Sequence, residues 1–557
     1  MELQADEIAI HESGPPPRRR WLPRRQTLGR IWRWSRPWIG PLLVAGVYAW
    51  FALHHLPGQR YQINPDGVGY ISVAQKYLGG HFADAVNAYW SPLYSWLLVP
   101  LLALGIEKLL AAKILGIFIG GATLAGLWRF MRVAAVQADV RTIACLAAVP
   151  LVVYAVYGVT TSDLLVACAL VYYLASLANP ANSGHWARGA WIRLAGGIAY
   201  LAKAYALPFV LGHFAIVRLI ELIRPAPGER RSRLILTSLA TVAAMALIVG
   251  AWSAALTHKY GHFTTGSTGQ YNLRIDAPGS PGQVMHWAGL LPPPDPHAVS
   301  AWDDITPHID LLPAWDPLAT PEDRQYLRTQ ISRNYDRTIA VLHRHTAWVY
   351  PLLLAAGLIA MSRADLRPRR PGLILAAAIL VYPLGYFVLH IEQRFLTPLI
   401  LLLLIGGMYV IGRAARKGLL NRWWRRSIAA AVVGASFVSY PIAGLERAQG
   451  SGANYVEAAR QLDGILPAGA RVASERNWGN MLFISFYQGW QYYGEPARRQ
   501  PREQTLADLE AMGVEYFLSP RPATWLTRAG WTPVAPETQK SLHIYRSPAL
   551  SENEARR

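Results

Sequence analysis

Apolar residues in this chain gather in long runs, not at the spacing of a half-buried strand or an amphipathic surface helix. The early runs lie near Trp38 to Leu56, Leu109 to Trp128, Ile143 to Tyr157, Leu164 to Leu177 and Leu234 to Leu256. Later ones lie near Ala347 to Met361, Leu373 to His390, Phe395 to Ile411 and Ile428 to Pro441. A helix needs roughly 20 apolar residues to cross a hydrocarbon layer ~30 Å thick, so these runs read as transmembrane helices.

Basic segments separate the runs: Arg129 to Arg141, Arg188 to Arg193, Arg224 to Arg233, Arg363 to Arg370 and Arg413 to Arg426. Positive charge is retained on the cytoplasmic side, so all of these are expected there, with the basic tail before Trp38. Consecutive cytoplasmic segments must be separated by an even number of crossings, and that parity decides two ambiguous stretches. Ser91 to Gly105, short and interrupted by Pro92 and Pro100, would invert every later loop if it crossed; it reads as an embedded or interfacial outer helix. Trp191 to Ile223 is basic at both flanks and must cross twice, turning near Lys203 at the outer surface. The expected fold is an all-α polytopic membrane protein with about eleven transmembrane helices plus juxtamembrane helices, the N-terminus inside and the C-terminus outside.

The division that follows is a basic cytoplasmic tail (1–37), a transmembrane domain (38–445) and a small C-terminal extracytoplasmic α/β domain (446–557). The first outer loop spans 57–108. The second, at 257–345, is rich in Pro, Gly, Asp and His, includes Pro292-Pro293-Pro294, and shows no clear periodicity; it is expected to be irregular, a candidate lid. In the C-terminal part, helices are expected at Tyr455 to Leu466 and Leu506 to Met512, and strands at Arg471 to Ser474 and Val514 to Leu518.

Composition agrees with a membrane solvent. Of 557 residues, 52% are hydrophobic and 16% charged, against about 25% charged in soluble proteins. The net charge of +20 sits in the segments flanking apolar runs, which excludes a nucleic-acid stripe as its explanation. Cys145 and Cys168 both fall inside predicted spans and provide no disulfide framework. The N-terminal region is not expected to be a cleaved signal, because its basic stretch is long and the first apolar run has span length without an A-x-A site.

Few residues remain to carry chemistry. Asp66 lies in Asn64-Pro65-Asp66-Gly67-Val68-Gly69-Tyr70, a turn just beyond the first span. A partly desolvated carboxylate there can act as a general base toward a hydroxyl, whereas the same residue at a helix start can serve merely as an N-cap. Asp163 follows Thr160-Thr161-Ser162 at the outer end of a span, either as a second acid on the same side or as an ordinary helix-start residue. Lys203 and the turn Glu392-Gln393-Arg394 add cations that can hold a phosphate, or that can equally snorkel and pair at the surface. The run Tyr89-Trp90-Ser91-Pro92-Leu93-Tyr94-Ser95-Trp96 offers faces for a sugar ring or lipid, or forms an interfacial belt. No His spacing marks a metal site and no cofactor is expected, although a divalent metal remains compatible.

In order, these residues resemble the GT-C superfamily of membrane glycosyltransferases. The likeness is strongest to bacterial relatives of the protein O-mannosyltransferases and the lipid A aminoarabinose transferases (glycosyltransferase families 39 and 83). It rests on Pro65-Asp66-Gly67 with Tyr70, Trp90-Ser91-Pro92-Leu93-Tyr94, Asp163, Gly197 to Lys203 and Glu392-Gln393-Arg394-Phe395-Leu396-Thr397-Pro398. The resemblance implies that Asp66 is the catalytic base, Asp163 a second acid, and Lys203 and Arg394 the groups on the donor phosphate, with Glu392, Tyr70, Trp90 and Tyr94 in support. It implies an inverting transfer of a sugar from a polyprenyl-phosphate-linked donor to a glycan, lipid or protein acceptor at the outer face of a bacterial cytoplasmic membrane. Gly67 stands where many members have a second acid, and Trp90 where the aminoarabinose enzymes have Lys. A transporter or flippase, and a non-catalytic binder of lipid-linked sugar, are the competing readings; the former would place its charges at the membrane midplane within inverted repeats.

Overall fold

The computed structural model describes residues 24–179, 186–225, 229–346, 370–534 and 542–550. The predicted span Ala347 to Met361 and residues 1–23 of the basic tail lie outside them. The first twelve α-helices are α1 (Arg24–Gln59), α2 (Pro65–Leu78), α3 (Phe82–Ala85), α4 (Pro92–Ala103), α5 (Lys108–Val133), α6 (Ala138–Gly158), α7 (Asp163–Ala178), α8 (Trp186–Ala202), α9 (Ala206–Ile223), α10 (Arg231–Tyr260), α11 (Thr268–Arg274) and α12 (Pro321–Thr346).

Eight described helical segments, from Trp38–Gln59 to Trp423–Arg447, are long and apolar enough to cross a membrane, and the chain is a multi-pass membrane protein. Two further predicted crossings form shorter helices: α7, of 16 residues, and α8, of 17. Helices α5, α6, α7 and Thr397–Arg416 pack on one another and bury most of their surfaces. At 12 residues, α4 rises only about 18 Å and is too short to cross, as its two prolines suggested. The chain breaks between α8 and α9 at Lys203, where the double crossing was expected to turn.

The loop at 257–345 is more ordered than its composition suggests. Its last third is α12, a helix of 26 residues, and short 3-10 helices form at Val284–His286, Ala301–Asp304 and Thr306–Leu311. The expectation of an irregular loop fails because α12 buries a largely polar stripe, Gln330, Asn334, Thr338 and His345 among them. A search for apolar periodicity is blind to such a face. The stripe satisfies backbone carbonyls left free where the Arg370–Val388 segment ends: Asn334 Nδ2 lies 3.3, 3.1 and 2.8 Å from the oxygens of Tyr386, Phe387 and Leu389, and Gln330 Nε2 donates to Val388 at 2.7 Å. Replacing Asn334 by Leu strands these buried acceptors. We expect a loss of about 1–3 kcal/mol, read as a lower thermal midpoint in nanodiscs; an unchanged midpoint would refute this role.

A buried ion pair clamps α2 to the same loop. Lys76 Nζ lies 2.6 Å from Asp295 and 3.9 Å from Asp303, with side-chain exposures of 1%, 8% and 0%. The C-terminal part holds a five-stranded sheet, β1 (Arg471–Ser474), β2 (Gln491–Tyr492), β3 (Tyr516–Ser519), β4 (Thr532–Pro533) and β5 (His543–Arg546), in the order β2-β1-β3-β5-β4. Strands β1, β2 and β3 run parallel and β5 antiparallel, with helices Ala453–Gln461, Trp478–Gln488 and Arg502–Ala511 among them. The long loop docks on this sheet: Tyr492 N–H donates to the Val299 oxygen at 2.7 Å, and Leu291 N–H to that of Tyr493 at 2.8 Å.

Candidate active site

Pro65 occupies the first position of α2, where its missing N–H costs nothing. Asn64 is therefore the N-cap residue, and its Oδ1 accepts from Thr160 N–H at 2.8 Å instead of capping the helix. Asp66 is thus not the cap. It stands inside the first turn, where the helix N-terminus favours an anion, and its carboxylate meets the Arg394 guanidinium at 2.6 Å. Gly67 and Gly69 let this turn of α2 lie close against Thr160 and Trp90. A Cβ at Gly67 would lie 2.9 Å from Thr160 Cβ, and one at Gly69 would lie 2.8 Å from the Trp90 ring. A second acid at Gly67 has no room without a shift of Thr160.

Arg394 is the hub. Its remaining nitrogens reach Glu392 at 2.8 Å and Asp163 at 3.8 Å. Asp163 is the first residue of α7; its Oδ1 takes Lys203 Nζ at 2.5 Å and its Oδ2 the Thr161 hydroxyl at 2.8 Å. Lys203 therefore does not lie free at a surface: its side chain is 14% exposed and its ammonium sits 3.7 Å from the Phe395 ring centre. Three carboxylates face two cations, leaving one negative charge in excess. Burial pushes the Asp66 carboxyl above its ordinary range, Glu392 and Asp163 adding to the rise and Arg394 opposing it.

The local chain explains the placement of Glu392 and Arg394. Leu389 and Glu392 have extended backbones and Gln393–Leu396 is a 3-10 turn. Alternation along the extended stretch turns His390 and Glu392 to one cavity, with Ile391 buried behind, and the 3-10 turn that follows brings Arg394 to the same cavity. That cavity, about 50 Å³, also has Asp66, Tyr70 and Trp90 in its walls. A second cavity of about 270 Å³ shares Asp163, Glu392 and Arg394 with it and is walled on the other side by Leu151, Tyr154 and Leu164. The charge cluster therefore separates a small polar chamber from a larger one with an apolar wall.

Of the supporting residues, Tyr70 donates to or accepts from Ser162 Oγ at 2.8 Å, and Trp90 packs on it with ring centres 4.9 Å apart. Tyr94 packs behind Tyr70, ring centres 5.2 Å apart and planes tilted by 60°, and is not among the residues that line the cavity. Trp90 and Tyr94 are buried, so the aromatic run is largely core; within it, Trp96 is the large residue left exposed. Thr268, Asn272, Gln283, Trp302 and His390 also line the small cavity and were missed from sequence. Only His390 carried any signal, two residues before Glu392; the others lie in the aperiodic loop.

Among the described residues, His81, Asp84 and His297 bring metal-ligating atoms within 4.8 Å of one another, away from the Asp66 cavity. The two imidazoles stack, with centroids 3.5 Å apart and planes 18° from parallel. Ring-nitrogen lone pairs lie in the ring plane, so rings held face to face do not aim at one ion.

No family model and no curated protein sequence matches the chain. Solved structures do. ArnT from Cupriavidus metallidurans, both apo and bound to undecaprenyl phosphate, aligns over 92% of this chain and 98% of its own at 15% identity, with a TM-score of 0.54. The archaeal oligosaccharyltransferase AglB from Archaeoglobus fulgidus, in complex with an inhibitory peptide and a dolichol-phosphate, aligns over 86% of this chain and 70% of its own at 12% identity, with a TM-score of 0.50. At such identities the likeness is one of fold.

Proposed function

We propose, from the GT-C fold shared with these structures, that this protein is a membrane glycosyltransferase. It moves a sugar from a polyprenyl-phosphate carrier to a glycan, lipid or protein acceptor at the outer face of a bacterial cytoplasmic membrane. The observation that carries this reading is the convergence of Asp66, Asp163, Lys203, Glu392 and Arg394 beside two adjoining cavities. These charges stand at helix ends and in a turn, not in mid-helix as a transporter's midplane site would have them.

The donor's prenyl end enters along the apolar wall of the larger cavity, and its phosphate competes with the carboxylates for Arg394 and Lys203. A phosphate accepting the guanidinium N–H groups displaces Asp66. The freed carboxylate, raised above its ordinary range by burial, then takes the proton of the acceptor hydroxyl or amino group as that atom attacks the anomeric carbon. The bond from the anomeric carbon to the phosphate oxygen breaks, its electron pair leaves on the phosphate, and Lys203 and Arg394 stabilise that charge. Attack opposite the leaving phosphate inverts the anomeric centre. The long loop and the C-terminal sheet, which meet through Tyr492 and Val299, are assigned to acceptor recognition.

Because Asp66 must be ionised to act, kcat/KM is expected to fall as pH decreases through a value above the usual ~3.9 of an Asp side chain. A profile that stays flat down to that ordinary range would reject Asp66 as the buried base. The function itself is tested by mass spectrometry of lipopolysaccharide, glycolipids and glycoproteins from cells with and without the gene. A sugar residue lost without the gene identifies donor and acceptor together; three unchanged profiles would refute the transfer.

A further inference from the structure

The ion pairs that centre on Arg394 and Lys203 leave the one imidazole among the described residues of the small chamber's wall outside their network. His390 lines that chamber, and its Nδ1 lies 3.1 Å from Asp276 Oδ2. A carboxylate offers only lone pairs, so Nδ1 carries the proton of this contact and Nε2 is the ring nitrogen left for a ligand. We propose that His390 contacts the transferred sugar, its Nε2 hydrogen-bonded to a sugar hydroxyl, with Asp276 as the positioning residue that fixes the ring.

Three features make this more than a chance pair. The main chain on both sides of the dyad is anchored: the backbone N–H of His390 donates to the Asn272 carbonyl at 3.4 Å, the backbone carbonyl of Asp276 takes the Tyr326 hydroxyl at 3.0 Å, and Asn334 holds the carbonyl of Leu389 at 2.8 Å. This anchoring fixes the backbone from which both side chains project, and the Asp276 carboxylate orients the ring. The neighbours of His390 on the loop side of the chamber, Thr268, Asn272 and Gln283, are neutral hydroxyl and amide groups. Neutral donors and acceptors suit the hydroxyls of a sugar ring, whereas the phosphate has Arg394 and Lys203. A sugar hydroxyl can donate or accept, so it pairs with an imidazole nitrogen in either protonation state.

The chamber adjoins the larger cavity at Asp163, Glu392 and Arg394, so a sugar whose phosphate lies on Arg394 and Lys203 is next to His390.

This inference rests on the glycosyltransferase reading, and the test separates the two. The full-length wild-type protein in nanodiscs is treated with diethyl pyrocarbonate, and carbethoxylation of His390 is quantified by peptide mass spectrometry. The probes are a polar-lipid extract of the producing cells and the same extract after mild acid, which cleaves sugars from polyprenyl phosphates. Native mass spectrometry records which lipids bind. Protection of His390 by the untreated extract alone, about tenfold or more, is the expected result. Binding of a lipid-linked sugar without protection overturns the role of His390 and leaves the general function standing. Equal protection by both extracts assigns His390 to the carrier lipid and also overturns it. Failure of any lipid-linked sugar to bind overturns the function and the inference together. In transfer assays, His390→Gln should raise the donor KM roughly tenfold with kcat changed much less, the signature of lost uniform binding; an unchanged KM refutes the contact.

Discussion

Asp66→Asn is expected to reduce glycosyl transfer by roughly 10²–10⁴-fold, the usual contribution of a positioned general base, while the protein stays folded. The carboxylate is 17% exposed, lies 2.6 Å from Arg394 and is held above its ordinary range chiefly by burial. The sign for stability follows from that direction. A carboxyl whose folded pKa exceeds its unfolded value favours the folded state at low pH, and that contribution is lost as pH rises through the folded pKa. At neutral pH the wild type therefore bears the cost of an ionised buried acid that the amide avoids, and Arg394 keeps Glu392 and Asp163 as partners. The variant should melt at or above the wild-type temperature at neutral pH, the difference shrinking on acidification. Retention of full transfer by a normally inserted Asp66→Asn protein would remove Asp66 from the mechanism.

Arg394→Met should be the most destabilising single change at the site. One guanidinium, 16% exposed, is shared by Asp66, Glu392 and Asp163. Its removal leaves buried carboxylates facing one another with Lys203 alone to offset them. Breaking a buried pair from one side costs roughly 3–5 kcal/mol, and here more than one acid is stranded. The stranded acids take up protons more readily, so the loss should be largest at neutral pH and shrink as pH falls. Arg394→Lys should restore most of the stability but not the rate, because an ammonium is a point charge and cannot hold a phosphate through a planar fork. Unfolding midpoints of both variants across pH, with transfer rates for the Lys variant, check this. Equal midpoints for Met and wild type would mean that the cluster is solvated and the ion pairs carry little energy.

The two variants probe different properties of one arrangement. Asp66→Asn removes a proton acceptor and leaves the charge balance close to even. Arg394→Met leaves the proton acceptor and removes what holds it. Loss of rate with gain of stability in the first, and loss of both in the second, would locate the chemistry on Asp66 and the assembly on Arg394.

Much of the frame was legible along the chain, because crossing a hydrocarbon layer is a demand each helix meets with its own residues. Long apolar runs, short basic segments and the break at Lys203 are written locally, and so is the strand at Arg471–Ser474. What a polar residue does is not local. As a lone residue Asp66 was as fit to cap a helix as to carry a proton, and only the packing of Asn64 on Thr160 and of Arg394 on α2 decides between them. Helix α12 was hidden because the face it buries is polar, matched to the free carbonyls at the end of Arg370–Val388. His390 and Asp276 become a pair only when the loop folds over the turn before Arg394. Polarity within one segment determined which parts enter the membrane; the meeting of polar groups from distant segments, each desolvated and answered by the other, was decided by the tertiary structure.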